Sequence, residues 1–301
     1  MTRRGWLLFI AMSVIWGCPY LLIRVAVREL SPATLVFART LPAAVLLVPL
    51  AAHRGLLRPL LPHWRWIVAY TVAEIALPWL FISRAEQHLS SSVAGLLVAT
   101  VPLVAVVIYR VVSPSTESIG RRRLLGLIVG FAGVGALVGL DLHGTDLVAV
   151  AEVAVPAAGY SIGPLIISRR LSAFPSLGVV SASVALTAVA YAPAALTHLP
   201  RHISFEVLAA VAGLAFGCTA LAFLLFFALI VEVGPSRSIV ITYLNPAVAV
   251  VLGVVLLGEH FTTGIAVGFP LILVGSYLAT STAQRSPTDV SAVPVETAPP
   301  P

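Results

Sequence analysis

LNPAVAVVLGVVLLGEHFTTGIAVGFPLILVGS, residues 244–276, repeats in outline TVPLVAVVIYRVVSPSTESIGRRRLLGLIVGFAGV, residues 100–134. Each stretch holds a proline inside an apolar run, then a Glu, then two glycines seven apart. These are Pro102, Glu117, Gly126 and Gly133 in the first copy, and Pro246, Glu259, Gly268 and Gly275 in the second. The offset is 144 residues at the proline and 142 from the Glu onward, so the first copy carries two extra residues after Pro102. Both copies sit in apolar runs long enough to cross a bilayer. The chain is therefore read as a duplicated membrane protein, with two halves around a central site.

Composition points the same way. At 59% hydrophobic and 10% charged, with a mean hydropathy of +1.03, 301 residues cannot cover a water-facing surface. The net charge of +6 would suggest a nucleic-acid partner in a soluble chain. Here the arginines fall mainly between apolar runs, so no nucleic-acid partner is expected. All 18 basic residues are Arg, which reads as codon bias. Cys18 and Cys218 lie in different apolar runs and suggest neither a disulfide framework nor a metal site.

Spans are expected at roughly 5–23, 34–52, 66–83, 92–111, 124–140, 147–167, 176–196, 206–231, 236–257 and 262–280. That makes about ten, and their length fits helices, since barrel strands would span only 9–11 alternating residues. The Arg3–Arg4 pair before the first run resembles a signal peptide, but no small-x-small cleavage site follows, so the run is read as a retained first helix. Thirteen arginines fall at the ends that share a side with the N-terminus. Only Arg24, Arg28, Arg84 and Arg201 fall at the others. The positive-inside rule then puts both termini in the cytoplasm. Five spans per half is odd, so the second half enters the membrane inverted. The expected domains are residues 1–140, the first five-helix repeat, and 141–280, the second. A disordered cytoplasmic tail is expected over 281–301, where Pro, Ser, Thr and Ala dominate.

The stretch AEQHLSSSVAGLL (85–97) before Pro102, and GPSRSIVITYLNP (234–246) before Gly258 and Glu259, resemble the EamA-type transporters of the drug/metabolite superfamily. Ile15, Trp16 and Gly17, the Ser31–Pro32 step and Arg39 fit the same family, and the resemblance covers residues 5–280. The first repeat departs from the pattern at Thr116–Glu117, where the second has Gly258–Glu259. The resemblance implies a ten-helix inner-membrane carrier, an exporter of amino acids or related small metabolites. A multidrug-type efflux carrier is the alternative.

Arg39, Glu74 and Glu152 are the ionisable residues farthest from span ends. Charge at such depth normally faces a cavity or a partner. Arg39 and Glu152 each lie roughly 8 Å below the outer end and are expected to be able to pair, while Glu74 lies roughly 10 Å deeper than Arg39. Snorkelling is the other reading for Arg39. Glu74 is the expected proton-coupling residue. Pro102 and Pro246 are read as helix breaks at equivalent depths, each removing a helical N–H, which points to a midplane site. Asn245 and Tyr243 beside Pro246 offer neutral donors and acceptors. Trp16 and Trp79 offer flat apolar surface, although Trp79 also suits an interfacial belt. Tyr160, with Gly163 and Pro164, mirrors Trp16, Gly17 and Pro19 of the first repeat. The expected solute-binding set is Trp16, Arg39, Glu74, Trp79, Tyr160, Tyr243 and Asn245. Glu86 and His88 are read as a surface ion cluster beside Arg84, and Glu259 as a structural turn residue.

No His-Glu-x-x-His and no phosphate-cradling glycine loop is present, and the seven His are scattered. An intramembrane lipid-modifying enzyme is the rival from another class. No catalytic residue, cofactor or metal is expected. The partners are a small neutral or zwitterionic solute, membrane lipid, protons if transport is coupled, and a second copy if the carrier is a homodimer.

Overall fold

Lipid offers no hydrogen bonds, so an apolar run must satisfy its backbone within itself. The computed structural model describes residues 2–112, 120–141, 147–197, 200, 202–234, 238 and 240–280. Glu117, Arg201, Arg237, Arg285 and the tail from Ser281 lie outside the described residues. Ten helices follow: α1 (Arg3–Ala26), α2 (Pro32–His53), α3 (Arg58–Ala85), α4 (Ser91–Val112), α5 (Arg121–Leu140), α6 (Leu147–Leu171), α7 (Ser176–Thr197), α8 (Phe205–Val233), α9 (Ile241–Leu257) and α10 (Thr263–Thr280). Among the described residues no strand occurs. Nine of the helices are long and apolar enough to cross a membrane. The tenth, α9, has 17 residues and reaches about 26 Å at 1.5 Å per residue. The chain is an all-α membrane protein. α3 starts near Arg58 rather than at 66, because Pro59 and Pro62 fit a tight 3₁₀ turn that leads into the helix.

Helix starts at one end of the bundle share a chemistry. Ser31, Ser90, Ser204 and Thr262 each accept a hydrogen bond from the backbone N–H three residues on. That end carries Arg24, Arg28 and Arg84 and is the one the arginine distribution assigns to the outside. Gly258 closes α9 at φ +66°, a left-handed turn that a side chain would strain. Within the bundle, buried hydroxyls donate back to carbonyls four residues earlier, as Thr40 does to Val36 and Ser83 to Trp79. Each thereby buries a polar group without a cost left open.

The glycines of the repeat become the axis of the fold. α5 and α10 pack closely, with a Cβ on Gly133 meeting Ile272 N at 2.8 Å and one on Gly268 meeting Gly133 O at 2.8 Å. Gly126 faces Ala279, Gly130 faces Gly275, and Gly268 faces Leu137, so the two helices run antiparallel. The 142-residue shift carries Gly126–Ala279 onto Gly268–Leu137 and Gly130–Gly275 onto Ile272–Gly133. Two copies that map onto each other while running antiparallel are related by a two-fold axis across the helices. The other neighbours obey the same exchange: α1 packs on α9 as α6 does on α4, α1 on α8 as α6 on α3, and α2 on α7. Because the seam is backbone against backbone, Gly275→Ala and its mate Gly133→Ala are each expected to destabilise by about 1–3 kcal/mol. A fall in the thermal unfolding midpoint in detergent measures this. Unchanged midpoints in both would show that the seam has slack.

The two prolines do not behave alike. α4 is interrupted at Ala99–Thr100 just before Pro102, and α9 runs unbroken through Pro246. The expected pair of matching breaks is therefore corrected to one. At the break, Ser276 of α10 donates to Ala99 O (3.4 Å) and Ser161 of α6 to Val101 O (3.2 Å). Neighbouring helices thus occupy these carbonyls, which makes Pro102 a packing joint.

Candidate functional site

The sequence places a guanidinium inside α2, and the fold encloses it. Arg39 is 5% exposed, and its Cζ lies 3.6 Å from the centroid of the Trp79 ring on α3. This is a cation–π contact within the range where desolvation strengthens it. Nε and Nη2 both reach the Thr219 hydroxyl of α8 at 3.4 Å, and that hydroxyl donates to Leu214 O. Snorkelling is excluded by this burial, and Trp79, itself 8% exposed, is not a belt anchor. The pairing of Arg39 with Glu152 is also corrected. Glu152 lies in the second turn of α6, beside the end of α3, and is taken by Arg84, whose Nε and Nη2 lie 2.7 Å from Oε1. Arg39 has no carboxylate within ion-pair distance among the described residues.

Glu74 lies on the same helix as Trp79, in a π-helical turn spanning Thr71–Ala76. One surplus residue per turn pushes the backbone outward and re-aims side chains, a common device at functional sites. Tyr191 of α7 donates to Ala76 O (2.9 Å) and ties the turn down. The Glu74 carboxyl rests on Gly163 of α6, where a Cβ would collide with Oε2. That oxygen is enclosed and has no hydrogen-bond partner among the described residues. Tyr160 of α6 is in electrostatic contact with both Arg39 and Glu74 and lies within hydrogen-bond reach of Trp79.

Trp16 approaches from α1, with ring centroids 4.6 Å from Phe226 and 6.1 Å from Phe223 on α8. Phe223 and Phe227 pack against the cluster that holds Trp79. Asn245, with its amide nitrogen turned toward the carbonyls, donates to Ser13 O (3.2 Å) and Ile241 O (2.9 Å), tying α9 to α1. Tyr243 does not join the group: its hydroxyl lies 3.0 Å from that of Thr280 on α10. The fold thus gathers Arg39, Glu74, Trp79 and Tyr160, with Trp16 linked through Phe223, and leaves Tyr243 outside. A separate cavity of about 400 Å³ opens at the outer rim beside Arg84 and Glu152, away from this cluster.

Sequence reasoning missed Thr219 and Phe223. The repeat offset carried the signal. Adding 144 turns Trp16 into Tyr160, Trp79 into Phe223 and Glu74 into Cys218. α8 also carries a π-helical turn, Gly213–Leu221, at the place matching that of α3. Glu259 caps the start of α4, accepting from Ser91 N (2.7 Å) and Ser92 N (3.0 Å). Glu86 is corrected from surface to interior, with no exposure at all. The chain does contain one Gly-x-Ser-x-Gly spacing, from Gly159 to Gly163. It lies inside α6, where the Ser161 hydroxyl donates to Ala157 O (2.7 Å), not on the strand-to-helix elbow that makes such a serine a nucleophile. Among the described residues no group of His, Cys, Asp or Glu is arranged to hold a metal ion.

Known proteins share this organisation. A chain of known crystal structure superposes with a TM-score of 0.63 at 20% identity, over 93% of this chain and 97% of its own, a likeness of fold. The chain is 30% identical over 285 residues to the "Uncharacterized inner membrane transporter YedA" of Escherichia coli (strain K12), covering 89% of this chain and 90% of that one. It is 23% identical to an "Uncharacterized transporter" of Archaeoglobus fulgidus, over 93% of this chain and 99% of the other. The profile of the EamA-like transporter family matches residues 3–139 and again residues 148–281. A multi-pass membrane chain whose described residues form ten helices, duplicated about a glycine seam with Arg39 and Glu74 between the halves, belongs to the EamA-like transporter family.

Proposed function

We propose that this transporter carries small zwitterionic solutes, amino acids or close relatives, out of the cell by alternating access of its two repeats. One observation carries the reading. Arg39 is a base and Glu74 an acid, neither has an ionic partner among the described residues, and both flank Tyr160. Buried charges are normally paired, and a bound solute with one cationic and one anionic group completes both. The carboxylate meets the Arg39 fork and the ammonium meets Glu74, while Trp79 and Tyr160 supply the flat wall between them. Export as the direction is supported by the family resemblance.

A second reading has its own support. The Trp16, Phe223, Phe226 and Phe227 group is a broad aromatic surface suited to hydrophobic drugs. The two readings part in proteoliposomes preloaded with labelled amino acids. Efflux slowed by unlabelled amino acids, but not by their amides or N-acyl derivatives, is the expected result. Competition by the blocked analogues equal to that of the parent would favour the aromatic reading and sink the zwitterion one.

A further inference from the structure

Two carboxylates meet at the outer end of the bundle, and the fold treats them oppositely. Glu259 spends both oxygens on Ser91 and Ser92 at the start of α4. Glu86, the residue after α3, has no exposed surface, and both its carboxyl oxygens lack a hydrogen-bond partner among the described residues. Arg24 of α1 donates instead to the backbone carbonyls of Glu86 and Gln87. The charged and titratable groups facing Glu86 are Tyr20 and Arg24 from α1, Arg39 from α2, and Glu259 from the α9–α10 turn.

We infer that Glu86 is a proton-binding site at the outer end of the carrier, separate from Glu74, loaded while α1 and the α9–α10 turn cover it and discharged when they part and admit water. An ionised carboxylate that is enclosed and unbonded is among the least favourable groups a protein can hold, so closure and protonation go together. Burial holds the Glu86 carboxyl well above the usual carboxylate range. Arg24 and Arg39 act against that shift, and Glu259 adds to it. The sign for stability follows by linkage. A carboxyl raised in the closed fold contributes fully at low pH, and its contribution is lost as pH rises from the ordinary carboxylate range through the raised value. The site is independent of which solute the carrier moves.

Thermal unfolding of the purified full-length protein in detergent, followed from mildly acidic to mildly alkaline pH, tests it. The parent is expected to lose stability as pH rises, and Glu86→Gln to lose the part of that dependence that Glu74→Gln retains. A Glu86→Gln profile that overlays the parent overturns the site. Should the variant fail to fold, the parent answers by itself. A hydrophobic carbodiimide, which modifies protonated carboxyls in apolar surroundings, is expected to label Glu86 near neutral pH and less at alkaline pH, read by peptide mass spectrometry. No label on Glu86 at any pH overturns the proposal and leaves the zwitterion reading untouched.

Discussion

Arg39→Leu is expected to abolish transport of carboxylate-bearing solutes while leaving the folded carrier recoverable. Removing one partner of a buried, hydrogen-bonded charge pair costs about 2–5 kcal/mol, a loss of roughly thirtyfold or more in apparent affinity. The replacement itself is mild, because leucine fills part of the space beside Trp79 and asks for no counter-charge. Arg39→Lys keeps the charge but gives up the planar stack and the fork, so it should fall between the two. A purely structural role would weaken every solute alike. The decisive comparison therefore uses an amino acid and its amide on the same variant. If Arg39→Leu slows both equally, the guanidinium is a packing element of the α2–α3–α8 contact and does not read the carboxylate.

Glu74→Gln should give the second large effect, of a different kind. If Glu74 meets the ammonium and exchanges it for a proton, the glutamine variant still lets solute equilibrate, because an amide oxygen can accept from an ammonium. It cannot release or take a proton, so accumulation driven by an imposed pH gradient is expected to disappear. Counterflow of labelled against unlabelled solute is expected to survive within about tenfold, the equivalent of one neutral bond exchanged for a charged one. Gly163→Ala offers a check that leaves the carboxyl in place. Its new Cβ would occupy the space of Glu74 Oε2, and the flexible end of the side chain must turn away. The same loss of accumulation is expected. A Glu74→Gln carrier that still concentrates solute as the parent does would show that Glu74 is structural and that the driving force enters elsewhere, with Glu86 the next carboxyl to examine.

Membrane spans were legible in the sequence because the hydrophobic requirement acts on runs of about 20 residues, however they later pack. The duplication was legible too, since Gly126, Gly133, Gly268 and Gly275 keep their spacing. Their purpose was not. Close approach of α5 and α10 is a relation between distant parts of the chain, and only the folded seam shows each glycine facing backbone.

The charged residues divide along the same line. That Arg39 and Glu74 must face something other than lipid follows from the energy of burying charge, and the sequence alone sufficed for that. Which partner each takes did not follow. Depth along a helix suggested Glu152 for Arg39, but depth leaves out rotation about the helix axis. The packing of α3 against α6 hands Glu152 to Arg84, and that of α2 against α3 and α8 sets Arg39 over Trp79, beside Thr219. Pro102 and Pro246 looked alike because a proline removes the same N–H in either copy. Whether the helix opens there depends on what neighbours offer, and only the first copy has Ser161 and Ser276 donating to carbonyls at the break. Glu86, at the end of a span beside Arg84, had every local mark of a surface residue. The fold closed over it, because α1 and the α9–α10 turn, remote in the chain, meet at that end and cover it.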